Sequence, residues 1–313
     1  YIFNYPSAHP LKFSTTADGT HGGGSEYTTG VTHNSSTQVT IVVAASAPTL
    51  YYYCGSHSGM GGQVNTNSTL GSSNFDGTIQ SVVKANATAG FSIVTYTGNG
   101  TGGATIGHGL GVKPNWIIVK DRSANRSWAV GSDDSPWTLN LRLEQSSTPA
   151  NTSQSKNQWY ETTPTSTVFY VGDGDVGDYS GDTNVNGENY VAYCFSEVAG
   201  YSKFGSYTGN GNADGTFVFT GFRPAWVMIK RSSATQNWRM FDNKRNPFND
   251  VDLNLQANTN DAEFESSAYN ALDFLSNGFK LVGTNADEGT NASGSTYIYL
   301  AFAESPFKNA RAR

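Results

Sequence analysis

The sequence predicts an all-β protein built from antiparallel β-sandwich domains. Its apolar runs are short and rich in β-branched and aromatic residues, and Asn-Gly, Gly-Asp and Gly-Asn pairs separate them. Aromatic residues make up 13% of the 313 residues, which is enough to build buried cores. The chain is also long for one domain, since domains average about 100 to 200 residues. We therefore expect two or three β-domains in tandem.

Charge and hydropathy exclude several classes of function. Charged residues make up 14% of the chain, the net charge is −6 and the pI is near 5.3. Because Lys and Arg form no cluster that could neutralise phosphates, we expect no nucleic-acid partner. No window of about 18 apolar residues predicts a membrane span, and the first residues lack the features of a signal peptide. Two cysteines are too few for a disulfide scaffold.

An internal repeat divides the chain. The blocks YTGNG and P-x-W-x-x-x-K, at residues 96–100 and 114–120, occur again at residues 207–211 and 224–230. A period of this length, about 110 residues, is too long for a solenoid and suits two tandem globular copies. The predicted organisation is a first domain at 1–64, a linker at 65–89, copy 1 at 90–199 and copy 2 at 200–313.

Each copy is expected to be an antiparallel sandwich of the jelly-roll kind. The runs that predict its strands are residues 116–119, 167–171, 190–195, 216–219, 226–229 and 297–302. Residues 263–275 alone have the composition and spacing of a helix, which Gly278 could end. The GNG segments inside the two YTGNG blocks are predicted to be hairpin turns.

Metal-ligating side chains are concentrated in the first domain. Residues 51–60 read YYYCGSHSGM, which places Cys54, His57 and Met60 at C-x2-H-x2-M spacing after an apolar strand. His9 follows an earlier strand-like segment. Two imidazoles, one thiolate and one weak thioether are the ligand set of a type 1 copper centre, so we expect copper. The alternative is a domain that keeps this arrangement for its shape and binds no metal.

These residues resemble the cupredoxin family, in which one His lies on an early strand and Cys, His and Met share a late loop. The resemblance covers residues 1–64 and implies a Greek-key sandwich, with His9, Cys54 and His57 as equatorial ligands and Met60 as the axial ligand. A cupredoxin has one or two strands before the one that carries the first His. We expect either that the chain continues upstream or that a neighbouring chain adds the missing strand.

Copy 1 also contains an acidic, glycine-rich segment. Asp173, Asp175 and Asp178 lie among glycines at residues 172–187, as carboxylates do in calcium loops. The segment lacks EF-hand spacing, and copy 2 keeps only two acidic residues at 283–294. Calcium and a solvated acidic hairpin loop both remain open.

Other reactive residue types have structural interpretations. Cys194 aligns with Ala301 in the repeated strand, so we expect a buried cysteine. Recurring charged residues could form one ion pair in each copy: Lys120, Lys230, Glu197 and Glu304. The remaining histidines are expected in turns and solvated loops: His21, His33 and His108. Since no base, nucleophile and orienting group occur together, we expect no enzyme.

The repeated region resembles a family of tailed-phage virion proteins that are common in marine phages. The resemblance covers residues 90–313 and is carried by the blocks at 207–211, 222–230, 274–280 and 299–304. It implies a virion protein, either a fibre or spike or a head-decoration subunit, that acts by multivalent assembly and attaches to the host surface. The implied partners are copies of the same chain, with a trimer as the expected order, other virion proteins and a host-surface glycan. The alternative is an exported type 1 copper electron-transfer protein with carbohydrate-binding sandwiches.

Overall fold

A computed structural model describes residues 1–43, 47–64, 71–265, 271–282 and 289–305. The chain divides into two compact units, unit 1 at Tyr1–Ser72 and unit 2 at Ser73–Arg313. Nearly all elements are antiparallel strands, which confirms the all-β prediction. No helix in the described ranges has the length and apolarity needed to cross a bilayer.

The described part of unit 1 contains six strands in two sheets. The strands are β1 (Ile2–Asn4), β2 (Leu11–Ser14), β3 (Val31–Ser35), β4 (Gln38–Ile41), β5 (Leu50–Cys54) and β6 (Gly61–Val64). They are ordered β1-β4-β3 in one sheet and β2-β5-β6 in the other. Phe13, Val39, Ile41 and Leu50 form a buried core from strands of both sheets. The finer assignment of this sandwich to the cupredoxin type stays a prediction.

Unit 2 contains the two copies of the repeat. The strands that begin unit 2 and form copy 1 are β7 (Ser72–Asn74), β8 (Ser81–Asn86), β9 (Phe91–Thr97), β10 (Thr105–Gly107), β11 (Trp116–Asp121), β12 (Trp128–Ser132), β13 (Leu139–Arg142), β14 (Ala150–Asn151), β15 (Val168–Tyr170) and β16 (Asn189–Phe195). The strands of copy 2 are β17 (Ser202–Thr208), β18 (Phe217–Phe219), β19 (Pro224–Arg231), β20 (Arg239–Asp242), β21 (Leu253–Gln256), β22 (Phe264–Glu265), β23 (Leu272–Leu275), β24 (Gly278–Leu281) and β25 (Thr296–Ala303). A 3-10 turn at Gln154–Lys156 and the one-turn helix α1 at Gly181–Asn184 complete copy 1.

The two copies arrange their strands in the same order. The large sheet of copy 1 runs β14-β13-β12-β11-β16-β9, and β8 and β7 extend it beyond β9. The large sheet of copy 2 runs β22-β21-β20-β19-β25-β17, which corresponds strand for strand. Each copy has a small second sheet, β10-β15 in copy 1 and β18-β24-β23 in copy 2. The copies therefore share a topology, while their jelly-roll classification stays a prediction.

The described residues of unit 2 form three apolar cores. One core in each copy collects buried side chains from both its large and its small sheet, such as Phe169 in copy 1 and Phe279 in copy 2. The third core joins the two copies through residues of both large sheets. Within it the rings of Trp116 and Trp238 meet edge to face, with centroids 6.2 Å apart, and both side chains are fully buried. The copies are thus packed into one block.

Asparagine side chains anchor the GNG segments, which are not the predicted hairpin turns. Asn184 accepts a hydrogen bond from the N–H of Asn99 (3.0 Å) and donates one to the carbonyl of Thr101 (3.0 Å). Asn291 makes the equivalent bonds in copy 2, at 3.0 and 2.9 Å. Because β9 pairs with β16 and β10 pairs with β15, the segment between β9 and β10 crosses from one sheet to the other.

Two further predictions about secondary structure need correction. Residues 263–275 do not form a helix, since the described part of this segment contains strands β22 and β23, and residues 266–270 lie outside the described residues. β22 pairs with β21 as β14 pairs with β13, so sheet pairing overrides the helical spacing. The expected linker at 65–89 is also partly strand. β8 pairs with β9 along its whole length and buries the alternate residues Ser81 and Val83; residues 65–70 are not described.

Candidate metal centre

Strand pairing brings the predicted ligands of unit 1 together. β2 and β5 are antiparallel, and Leu11 lies opposite Cys54, so the turn before β2 adjoins the loop after β5. His9 lies in that turn, two residues before Leu11. The N–H of Gly55 donates to the carbonyl of Pro10 (2.7 Å), which ties the two connections to each other. The distant His9 is thereby placed beside the Cys54 strand end.

Three ligand atoms form a compact triangle. Nδ1 of His9 lies 3.2 Å from Nδ1 of His57, and Sγ of Cys54 lies 3.8 and 3.5 Å from these two nitrogens. Metal–nitrogen bonds of about 2.0–2.1 Å and metal–sulfur bonds near 2.3 Å give ligand separations of about 3.3–3.8 Å at tetrahedral to trigonal angles. Both sulfur–nitrogen distances lie in this range, and the 3.2 Å nitrogen–nitrogen distance corresponds to an angle slightly below tetrahedral, so one ion can contact all three atoms. A hydrogen bond between the two imidazoles would explain the 3.2 Å contact but not the convergence of the sulfur on the same two nitrogens.

The triangle lies at the boundary between core and solvent. Cys54 is 5% exposed, His9 is half-buried and His57 is exposed. The N–H of Ser56 points at the Cys54 sulfur at 3.4 Å and would stabilise a thiolate there. A buried thiolate with one exposed imidazole can hold a soft or borderline metal and still leave one ligand at the surface. A search of the described residues for three or more His, Cys, Asp or Glu side chains that could hold one metal ion finds His9, Cys54 and His57.

Met60, the predicted axial ligand, lies next to the triangle. Its carbonyl accepts the N–H of Cys54 (2.8 Å), which closes the ligand loop. Its side chain is 45% exposed and lines an open, mainly apolar cavity of 330 Å³ together with His9 and Cys54. Met60 is therefore in the right neighbourhood, and its role as a ligand stays a prediction.

The loop between β2 and β3 braces the ligand loop, which we did not expect from the sequence. The carboxylate of Asp18 accepts hydrogen bonds from the Ser58 hydroxyl (2.6 Å) and from the Gly59 N–H (3.0 Å to each oxygen). These hydrogen bonds favour the ionised carboxylate and so lower the pKa of Asp18, with the Ser58 hydroxyl contributing most and the Gly59 N–H next. Asp18 and Gly19 both have positive φ, and a Cβ on Gly19 would lie 2.3 Å from the Tyr53 ring. The Asp-Gly pair was the one sequence signal for such a turn.

His21 belongs to the same bracing loop. Its Nε2 lies 3.1 Å from the carbonyl of Cys54, and its ring packs edge to face against Tyr53. His21 is exposed and lies in a loop, as predicted. It also contacts the end of β5, a structural role that the prediction did not include. His33 lies on β3 and pairs with Glu26 at 2.9 Å.

The carboxylates of the acidic loop of copy 1 contact hydrogen-bond donors of the loop itself and, at Asp178, the ammonium of Lys156 (3.8 Å). The Ser180 hydroxyl lies 2.7 Å from an oxygen of Asp173 and 2.6 Å from an oxygen of Asp178, and it can donate its one hydrogen to either. The Gly177 N–H donates to Asp175 (2.9 Å). Within the described chain, these aspartates do not form a group of three whose oxygens lie within 4.8 Å of one another. Calcium here stays a prediction to which the geometry adds no support.

The remaining residues singled out in unit 2 have structural roles. Cys194 is fully buried, as expected, and burial raises the pKa of its thiol to about 12. His108, predicted to be a turn residue, lies just after β10 and is buried. Its Nδ1 accepts the Leu110 N–H (3.3 Å), its Nε2 donates to the Thr165 carbonyl (3.2 Å), and burial lowers its pKa.

The predicted lysine–glutamate pairs do not form. Lys230 is fully buried, and its ammonium donates to the carbonyls of Ser146, Arg231 and Gln236 at 2.8–3.0 Å. Lys120 donates to a carbonyl as well. The glutamates pair with other cations: Glu197 with Lys203 and Glu304 with Arg223.

Comparison with known proteins identifies a family. A family model described as a domain of unknown function (DUF7483) matches residues 64–306, a range that covers both copies and leaves out His9, Cys54 and His57. No curated protein and no solved structure matches the chain. Because the matched range is more than half of the 313 residues, the chain belongs to the DUF7483 family.

Proposed function

We propose that unit 1 is a copper-binding module of the type 1 kind, with His9, Cys54 and His57 as ligands and Met60 as a weak fourth. The proposal rests on the three ligand separations of 3.2, 3.5 and 3.8 Å, which one ion satisfies. A thiolate suits Cu(I) and imidazoles suit Cu(II), so a bound copper would supply one-electron chemistry or a cross-link between two loops.

Metal loading tests this proposal. The full-length protein should take up one copper per chain and show a thiolate-to-copper absorption band in the red part of the visible spectrum. Cys54→Ser should lose the band, because serine provides no thiolate. Cys194→Ala is the matched control, since it removes the other buried cysteine and installs the residue found at the same position of copy 2. A loaded wild-type sample with no band and no metal by elemental analysis would exclude the copper centre.

For the whole chain, we propose the role of a structural protein of a virion that acts by multivalent assembly. The resemblance of residues 90–313 to tailed-phage virion proteins supports it, as does the buried core that packs the two copies against each other. Mass spectrometry of purified particles tests it. Recovery of the chain in stoichiometric amounts is the expected result, and a dilute monomer that is absent from particles would contradict the proposal.

One observation favours a second candidate, an exported copper electron-transfer protein. His57 is exposed although it lies 3.5 Å from the buried Cys54 sulfur, so a metal at this site would be one imidazole from solvent. Voltammetry of the copper-loaded protein distinguishes the two roles. A reversible one-electron couple together with electron exchange with a soluble partner supports the second candidate, whereas a purely structural metal needs neither.

A further inference from the structure

One edge of the small sheet is covered in copy 1. Residues 78–81 run beside β10 and pair with it in parallel at Ile79 and Ile106. The N–H of Ile79 donates to the carbonyl of Thr105 (3.0 Å), and the Ser81 hydroxyl donates to the carbonyl of Gly107 (3.0 Å). The chain thus adds its own strand to this edge and satisfies the outward backbone groups of β10.

The cover is tight. A Cβ on Gly107 would lie 2.1 Å from Oδ1 of Asn74, and a Cβ on Gly77 would lie 2.2 Å from the carbonyl oxygen of Thr105. A side chain at position 107 would displace the Asn74 amide from this position.

The equivalent edge of copy 2 is β18, and it carries two phenylalanines in place of Thr105 and Gly107. Val218 corresponds to Ile106, since both are buried and pair with a buried phenylalanine of the next strand. Phe217 and Phe219 flank Val218 and are 45% and 63% exposed. In the described ranges, copy 2 has no segment that corresponds to residues 78–81.

The backbone N–H and C=O groups on the free edge of β18 belong to Phe217 and Phe219. The neighbouring strand β24 bonds to the carbonyl of Thr216, and the N–H of Thr220 bonds to the carbonyl of Asn277 just before β24. Backbone groups alternate along a strand, so those of Phe217 and Phe219 point away from the sheet. An added strand would find two donors and two acceptors there.

We propose that β18 pairs with β18 of a second copy of this chain around a two-fold axis at Val218. Antiparallel pairing in this register sets Phe217 opposite Phe219 of the partner subunit, and Phe219 opposite Phe217 of the partner subunit. Both pairs are then hydrogen-bonded pairs, so all four outward groups on each strand are satisfied. The four phenyl rings lie on one face and remove one another from water.

The surroundings of β18 favour a second copy over a sugar. Phenylalanine has no polar group to bond a glycan, unlike Tyr with its O–H and Trp with its N–H, which suit wet interfaces. Beside Phe217 on the same sheet lie Lys280 and then Asp273, and Lys280 forms an ion pair with Asp214. Both signs of charge are present, so two copies of this surface do not simply repel. The contact is self-complementary, as a two-fold interface must be.

The test is the mass of the full-length protein in solution by sedimentation equilibrium. The wild type should approach twice its monomer mass of 33.5 kDa as its concentration rises. Phe217→Thr with Phe219→Thr should stay monomeric at the same concentrations. Phe219→Lys should also abolish association, because a lysine on an edge strand opposes pairing, and this exposed position tolerates the change. Val176→Ser, which alters a 65% exposed valine of copy 1, should associate like the wild type.

Three results would overturn the proposal: a wild type that stays monomeric at its solubility limit, association that the β18 variants leave unchanged, or a trimer in place of the dimer. A monomer that binds a glycan through Phe217 and Phe219 would assign the surface to carbohydrate. The inference does not depend on the metal centre, so the β18 variants should still bind copper like the wild type. The β18 pairing gives the proposed role in virion assembly a specific contact surface. If the β18 variants lose dimers but are still incorporated into particles, the pairing is real and virion assembly does not depend on it.

Discussion

The hydrogen bonds of Asp18 to the ligand loop predict that this residue positions the metal site without touching the metal. Asp18→Asn keeps the size of the side chain but replaces one acceptor oxygen by an N–H₂ donor. In the structure, one carboxylate oxygen receives the Ser58 hydroxyl at 2.6 Å, and both receive the Gly59 N–H. With the amide oxygen at the Oδ2 position, the Gly59 N–H still faces an N–H₂ group on its other side, and with the oxygen at the Oδ1 position the Ser58 hydroxyl loses its acceptor. In either orientation the loop between Cys54 and Met60 is held more weakly.

We expect copper affinity to fall about 10-fold to 100-fold, which is the range for loss of a group that orients metal ligands. Competition with a chelator of known affinity measures it, and the absorption band of the loaded protein reports whether the ligand set has changed. Ser58→Ala removes one of the bonds and should have a smaller effect. Asp175→Asn, which alters an exposed loop aspartate of copy 1, should have none. If Asp18→Asn binds copper like the wild type, the bracing role is wrong.

Three predictions concern unit 2. Burial, aided by Arg231, lowers the pKa of Lys230 to about 8, below its unfolded value of 10.5, although three carbonyls favour the charged form. Between pH 8 and 10.5 the unfolded chain therefore binds more protons than the folded chain, and the free energy of unfolding should rise with pH across this window by up to about 3 kcal/mol. Urea titrations of Lys230→Met should show no such rise. Asn184→Ala should cost about 3 kcal/mol in the same assay, because three bonds to loop backbone are lost, and a loss below about 1 kcal/mol would contradict the anchoring role. Trp238→Ala should cost about 3–5 kcal/mol and expose the connection between the copies to proteases; unchanged proteolysis would show that the copies do not depend on the Trp116 contact.

The metal triangle was predictable because its chemistry is local. Cys54 ends an apolar strand and His57 follows three residues later, so one short loop presents both. His9 could be added because two imidazoles and one thiolate make a recognisable set. The strand register that brings it within 3.8 Å of the sulfur is a tertiary feature, which only the structure provides.

Other features could not be predicted from one sequence. Asp18 acts on a loop 40 residues away, and nothing in the local pattern marks that contact. Residues 263–275 have apolar spacing that suits a helix, yet the sheet of copy 2 recruits the start of this segment as β22, as copy 1 does with β14. The GNG segments carry a turn signal, but buried Asn184 and Asn291 decide their actual path. In each case a long-range contact outweighs a local preference.

A crystal structure of the copper-loaded protein, with anomalous data collected at the copper edge, tests the central claim most directly. We predict a single strong peak within about 2.0–2.3 Å of Nδ1 of His9, Nδ1 of His57 and Sγ of Cys54. A peak that lies elsewhere, or a triangle that stays metal-free in a crystal grown with excess copper, would contradict the assignment of unit 1 as a copper module.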